Sequence, residues 1–241
     1  MPGIIGQAQV PAWRRILNLA TADGWTGLYD PTNPNTRTLR VDGADSYFSA
    51  IADGLGNLPD LVQATESKQM LLSVGAFGKL DAAMGNANLI TSMATNAFAD
   101  LAQPFFGIII GKLTSALGAN RKLVDGVSGT KRMLISTNGT SFLIYSGATL
   151  AGANEDNNSH VHGGFYNDMG SEFYIDGALS ASGAAGTQSV SGFTIGTQFD
   201  LASSWWIGPI GPLLFYHGNP GTAKIGRMFD LLHSLTGIAQ A

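Results

Sequence analysis

The sequence predicts an all-β fold, a β-sandwich or jelly roll, on three observations. Alternating apolar runs recur from residue 104 to residue 217, with turn residues about every 8–12 positions, the signature of many short strands. Glycine is abundant, at 32 of 241 residues, which favours turns and close strand contacts over long helices. Hydrophobic residues make up 44% of the chain and charged residues only 12%, enough to fill a large core and few to clothe a surface.

Residues 1–15 read as an N-terminal arm, because Pro2, Gly3, Gly6 and Pro11 discourage regular structure. Trp13, Arg14 and Arg15 form its basic-aromatic spot and are expected to dock on a partner. Residues 16–241 read as a single domain. TLRVDGADSYFSA at 38–50 alternates around Asp42-Gly43 and predicts a hairpin. Residues 51–103 differ, being rich in Ala, Leu, Met and Asn. Met70, Leu71, Val74 and Phe77, then Leu89, Ile90 and Met93, fit helical spacing, so this stretch is expected to be an insertion of short helices and loops.

PFFGIIIGKL at 104–113 is the strongest buried-strand candidate. Asn138-Gly139 between two alternating runs predicts a type I′ hairpin. HVHGGFYN, SEFYIDGALSASG, SGFTIGTQF and WWIGPIGPLLFYHG follow as further strands. The triplet Val/Ile-Asp-Gly at 41–43, 124–126 and 175–177 reads as repeated hairpin chemistry. Ile225, Met228, Phe229 and Leu232 stand at i, i+3, i+4 and i+7. They predict one amphipathic helix that starts near Pro220 and closes at Gly237.

A formal net charge of −4 supplies no basic surplus for phosphates, so no nucleic-acid partner is expected. There is no cysteine, which excludes disulfides and thiolate chemistry. The N-terminus lacks the pattern of a secretory signal, and the longest apolar run, PFFGIII, is too short to span a bilayer.

LRVDGADSYF, SEFYIDGALSASG and GFTIGTQFDLASSWWIGPIGPLLFYHG, in that order, resemble strand pairs of concanavalin A-like and laminin G-like jelly rolls. The resemblance covers roughly residues 38–50 and 104–236. Members of that group bind glycans, cleave glycans or serve as structural modules. With this composition and arm, the chain also resembles domains of tailed-bacteriophage virion proteins. That resemblance implies a non-enzymatic virion structural protein, a capsid decoration or a tail or fibre component. It would form a homo-oligomer docked on other virion proteins, with no cofactor. The alternative is a carbohydrate-binding module for cell-surface glycans on the host.

Glycoside hydrolysis needs two carboxylates across the scissile bond. Hydrolases of this fold carry them on a Glu-x-Asp-x-x-Glu strand, whereas Glu66, Glu155 and Glu172, the only glutamates, do not match that spacing. Glu172 and Asp176 are four apart, but Asp176 falls in the predicted turn, so it reads as a turn residue. His160 and His162 fall on one strand face, and Asp156 or Asp168 would be needed to complete a metal site. NEDNN at 154–158 lacks calcium-loop spacing and reads as a polar loop. Trp205, Trp206 and Tyr216 are the candidate glycan or interface contacts. Alternation sends one of the two tryptophans into the core.

Overall fold

The apolar run beginning at Phe105 becomes the spine of the fold. A computed structural model of the protein describes residues 9–86, 91–114 and 119–240. Its strands in chain order are Gly27–Tyr29 (β1), Arg37–Asp42 (β2), Asp45–Ile51 (β3), Leu61–Val62 (β4), Met70–Phe77 (β5), Leu80–Gly85 (β6), Met93–Thr95 (β7), Phe105–Lys112 (β8) and Asn120–Asp125 (β9). Leu134–Asn138 (β10), Ser141–Tyr145 (β11), Thr149–Asn154 (β12), Ser159–Tyr166 (β13), Ser171–Ile175 (β14), Ala178–Gly183 (β15), Thr194–Ile195 (β16) and Gly208–His217 (β17) follow. Two helices flank them, Ala12–Asp23 (α1) and Gly221–Thr236 (α2).

One antiparallel sheet runs β15–β14–β13–β8–β17–β6–β5–β3–β2. The other runs β12–β11–β10–β9–β16–β7–β4–β3. Strand β3 belongs to both: Tyr47 and Phe48 pair with β5, while Ala50 and Ile51 pair with β4. One side of the sandwich is therefore closed by continuous pairing.

Strand β8 is buried on both faces, and its alternation sorts its side chains into two cores. Phe105 and Ile109 join Leu123, Ile135, Ile144, Phe173, Trp206 and Phe215 between the sheets. Phe106, Ile108 and Ile110 join Ile16 and Ala20 of α1 and Met228, Phe229 and Leu232 of α2. Each such side chain, fully buried, contributes roughly 1.5–3 kcal/mol, so both cores hinge on this strand. Both helices thus cover the outer face of the first sheet, and neither packs on the outer face of the second.

The expected all-β class, the hairpin at 38–50 and the C-terminal helix are present. Ile225, Met228, Phe229 and Leu232 are buried, and Gly237 ends the helix at φ 74°. Within residues 51–103 the expected loops are present with one short helical turn, Glu66–Lys68, but the rest of the expected helix gives way to strands β4 to β7. Helical spacing at Met70–Phe77 lost to pairing: β5 and β6 form a hairpin, and β6 docks on β17. Met93 is in a strand, while Leu89 and Ile90 lie outside the described residues.

The arm is also revised where it is described. Residues 12–15 are the first turn of α1, an amphipathic helix that buries Ile16 and Ala20, and Pro11 precedes it without breaking it. Residues 1–8 lie outside the described residues. At the 138–139 turn only Gly139 has positive φ (88°), the pattern of a type II′ turn, in place of the expected I′. Asp176 and Gly177, at φ 52° and 86°, form the I′ turn instead. The 124–126 triplet is no hairpin turn, as described below.

Candidate functional site

Two places among the described residues gather polar chemistry. The first is a groove on the outer face of the second sheet. Leu123, Ile135 and Ile144 point inward, so their neighbours on β9, β10 and β11 point out. Asn120, Lys122, Asn138 and Tyr145 line a cavity of about 310 Å³ with Arg132 and Gln198. Its outward row on β10 also holds Ser136, which is fully buried and whose hydroxyl has no partner.

Asp125 organises this groove. It is fully buried and receives Arg132 through both arms of the guanidinium, Nε at 2.9 Å and Nη2 at 2.7 Å. It also accepts the backbone N–H groups of Gly126 (2.7 Å) and Phe199 (3.2 Å), the second fastening the segment after β16 onto β9. Burial pushes the Asp125 carboxyl up, against the pull of Arg132. Arg132 lies 4.9 Å from the Tyr145 ring and 5.1 Å from the Phe199 ring, a cation held between two aromatic groups.

Lys122 is only 6% exposed. Its Nζ donates to Asn120 Oδ1 at 2.6 Å and meets no carboxylate at ion-pairing distance among the described residues. Burial lowers its pKa, with Asp125 opposing that shift and Arg132 adding to it. The groove therefore presents two cations, several amides and an aromatic ring, with no acidic side chain on its wall.

The second place is the Asp176 turn. Alternation on β13 puts His160 and His162 on one face as expected, with ring centroids 5.7 Å apart. His160 Nδ1 lies 2.6 Å from Asp176 Oδ2 and Nε2 lies 2.9 Å from Asp156 Oδ1. Ionised carboxylates only accept, so two carboxylates facing the two ring nitrogens favour the doubly protonated imidazolium over the neutral ring. Burial alone would lower the His160 pKa, but the bonds to Asp176 and Asp156 outweigh it and the net shift is upward.

His162, wedged between Phe142 and Phe173, has no partner on either nitrogen. Burial, assisted by the charge of His160, drives its pKa down to about 3, so it stays neutral. A cleft of about 400 Å³ beside His160 and Asp176 is lined by Asn158, Ser159 and the tail from Thr236 to Ala239. Asp176 is thus a turn residue, as expected, and also a buried acceptor for His160 and for the N–H of Val161 at 2.8 Å.

The remaining predicted residues scatter. Trp206 is core, its indole donating to Lys112 O at 3.1 Å, and Trp205 is half-buried beside β9, as alternation required. Tyr216 lies at the other end of β17, edge-on to Trp25 at 5.9 Å, so the three do not form one platform. Trp13, Arg14 and Arg15 sit on α1, where Arg14 stacks on Trp13 at 5.1 Å. Asp168 lies away from the His160 pair, in the turn before β14, and no group of three His, Asp or Glu side chains among the described residues is arranged to hold a metal ion. Glu172 contacts the Tyr174 hydroxyl on the helix-facing side of β14, away from Asp176. Sequence reasoning missed Asn120, Lys122, Arg132, Tyr145 and Gln198. Period-2 alternation places Asn120, Lys122 and Tyr145 outward, but Arg132 and Gln198 lie outside the strands and nothing local brings these segments together.

No family model matches the sequence, and no curated protein matches it. The fold does match solved structures. Domain 4 of AbnA, a GH43 extracellular arabinanase from Geobacillus stearothermophilus, in complex with arabinotriose, is 14% identical at TM-score 0.59, covering 85% of this chain and 97% of that one. A GH54 α-L-arabinofuranosidase mutant is 11% identical at TM-score 0.61, covering 92% of this chain and 65% of that one. Trypanosoma rangeli sialidase in complex with sialic acid is 11% identical at TM-score 0.54, with 92% and 37% covered. The chain thus spans nearly all of the arabinanase domain but little more than a third of the sialidase. At these identities the likeness establishes the fold: a lectin-like jelly-roll sandwich, similar to domains of carbohydrate-active proteins.

Proposed function

We propose that the chain is a non-catalytic carbohydrate-binding module whose sugar-contacting surface is the groove over β9, β10 and β11. The observation that carries this reading is the groove itself, where Tyr145 and the amides of Asn120, Asn138 and Gln198 surround one cavity. A sugar offers apolar C–H faces and rings of hydroxyls, which such a mixture of aromatic and bidentate polar groups complements. The arabinotriose complex of the similar arabinanase domain, and the sugar complexes of the other two proteins, support it at the level of fold. Absence of catalysis is part of the proposal and is supported by the separation of Glu172 from Asp176.

Glycan-array screening followed by titration calorimetry tests this. Tyr145→Ala and Gln198→Ala are expected to weaken binding about tenfold or more, and Trp205→Ala to change it little. Loss on Trp205→Ala with Tyr145→Ala unaffected would move the site elsewhere, and turnover lost on Glu172→Gln would make the chain an enzyme.

A second reading sets the module on a virion, as a self-associating decoration or tail component that holds the groove toward host glycans. It is favoured by strand β2, which pairs only with β3 among the described residues and leaves Val41 71% exposed at the edge. Unpaired edges of this kind join copies of a chain. Light scattering that gives a monomer at all concentrations, with no co-sedimentation with particles, would end that reading.

A further inference from the structure

Lys122 poses a problem that the chain does not solve internally. A buried cation without a paired anion is costly. Arg132, its neighbour in the groove, has a carboxylate of its own in Asp125, bound through Nε and Nη2. Lys122 has only a neutral amide oxygen, that of Asn120. Opposite it in register on β10 stands Ser136, whose buried hydroxyl is unpartnered. The cavity above them carries two cations and no acidic wall. Among the described residues, Lys122 lines a cavity of about 310 Å³ with no carboxylate at ion-pairing distance, and the buried Ser136 hydroxyl opposite it on β10 has no partner.

We propose that this groove selects anionic saccharides, with the acidic group of the sugar accepting from Lys122 Nζ and the sugar ring lying toward Tyr145. The selectivity rests on the glycan-binding reading of the same groove and adds the chemical class of its ligand. A carboxylate or a sulfate supplies the acceptors that the site lacks. A neutral sugar would leave Lys122 with its single amide partner, and charged hydrogen bonds are the stronger kind.

Calorimetry on the full chain decides it, with four probes of equal length: a uronic-acid oligosaccharide, its methyl ester, a sulfated oligosaccharide and its desulfated form. The expected result is that at least one acidic probe binds about tenfold or more tighter than its neutral partner. The preference should weaken with added salt and vanish in Lys122→Met. Asn120→Asp, which supplies Lys122 with an internal carboxylate, should also erase the preference and keeps the test valid if the methionine variant folds poorly. Which acidic probe binds distinguishes a carboxylate from a sulfate ligand. Equal binding of acid and neutral forms would overturn the anion selectivity and leave the glycan reading standing. A preference that survives both substitutions would overturn the assignment to Lys122. Binding of none of these probes or of any arrayed glycan would overturn both readings.

Discussion

The groove over β9–β11 and the imidazole cluster at the Asp176 turn both bury charge, and they resolve it in opposite ways. At the turn, His160 is saturated: each ring nitrogen meets a carboxylate, and Asp176 also takes the Val161 N–H. Every partner comes from the chain, and the result is a clasp that ties β13 to the β14–β15 turn. In the groove only half of the charge is settled. Arg132 is matched by Asp125, while Lys122 is left with an amide. The His160 clasp is satisfied within the chain, whereas under the proposed reading the carboxylate missing beside Lys122 is supplied by a bound glycan.

The largest expected effect comes from breaking the settled half of the groove. Asp125→Ala strands the Arg132 guanidinium and frees the Phe199 N–H. It should cost about 3–5 kcal/mol in urea unfolding and abolish glycan binding. A loss below about 1 kcal/mol would mean that Arg132 finds another partner or water.

The histidine pair should shape stability against pH from both sides. The His162 pKa is lowered in the fold, so below the ordinary histidine value of 6.5 the unfolded chain takes a proton that the folded one refuses until about 3. Stability therefore falls with acid across that window, by roughly 1.4 kcal/mol per pH unit. The His160 pKa is raised, so its contribution is complete below 6.5 and is lost as pH rises through its folded pKa. Thermal melts from pH 3 to pH 9 should show the acid limb flattened in His162→Phe and the alkaline limb flattened in His160→Gln. Unchanged limbs would refute the assigned charge states.

Smaller effects sharpen the contrast. Asp176→Asn removes one charged partner of His160 and should cost about 1–3 kcal/mol, with groove binding intact. Lys122→Met should leave stability within about 1 kcal/mol of the parent, or raise it, because a buried unpaired cation gives way to an apolar chain of similar length. If Lys122→Met destabilised the fold as much as Asp176→Asn, the two clusters would be equivalent.

Much of the fold was legible in sequence. The Phe105–Lys112 run, the Leu39–Phe48 hairpin, the Asp176-Gly177 turn and the Ile225–Leu232 stripe are local patterns whose period or turn chemistry is printed in consecutive residues. Met70–Phe77 misled because apolar residues three to four apart also suit a twisted strand with a bulge. The bulge between Ser73 and Phe77 shifts the register there. Asp125 misled because the same triplet that makes a turn at Asp176 is, at β9, the end of a buried strand facing Arg132.

Local pattern carries much of where the chain extends and turns and of which side chains a strand turns to its two faces, because steric preference and period-2 alternation act within a few residues. What those faces meet depends on tertiary pairing. Register set across three strands brought Lys122, Ser136 and Tyr145 to one surface, and a loop pinned by Asp125 closed it. The two flanking helices covered the opposite face, and neither packs on this one. These juxtapositions depend on pairings between residues far apart in the chain. The same local alternation is compatible with many such pairings, so no short stretch of sequence could announce the groove.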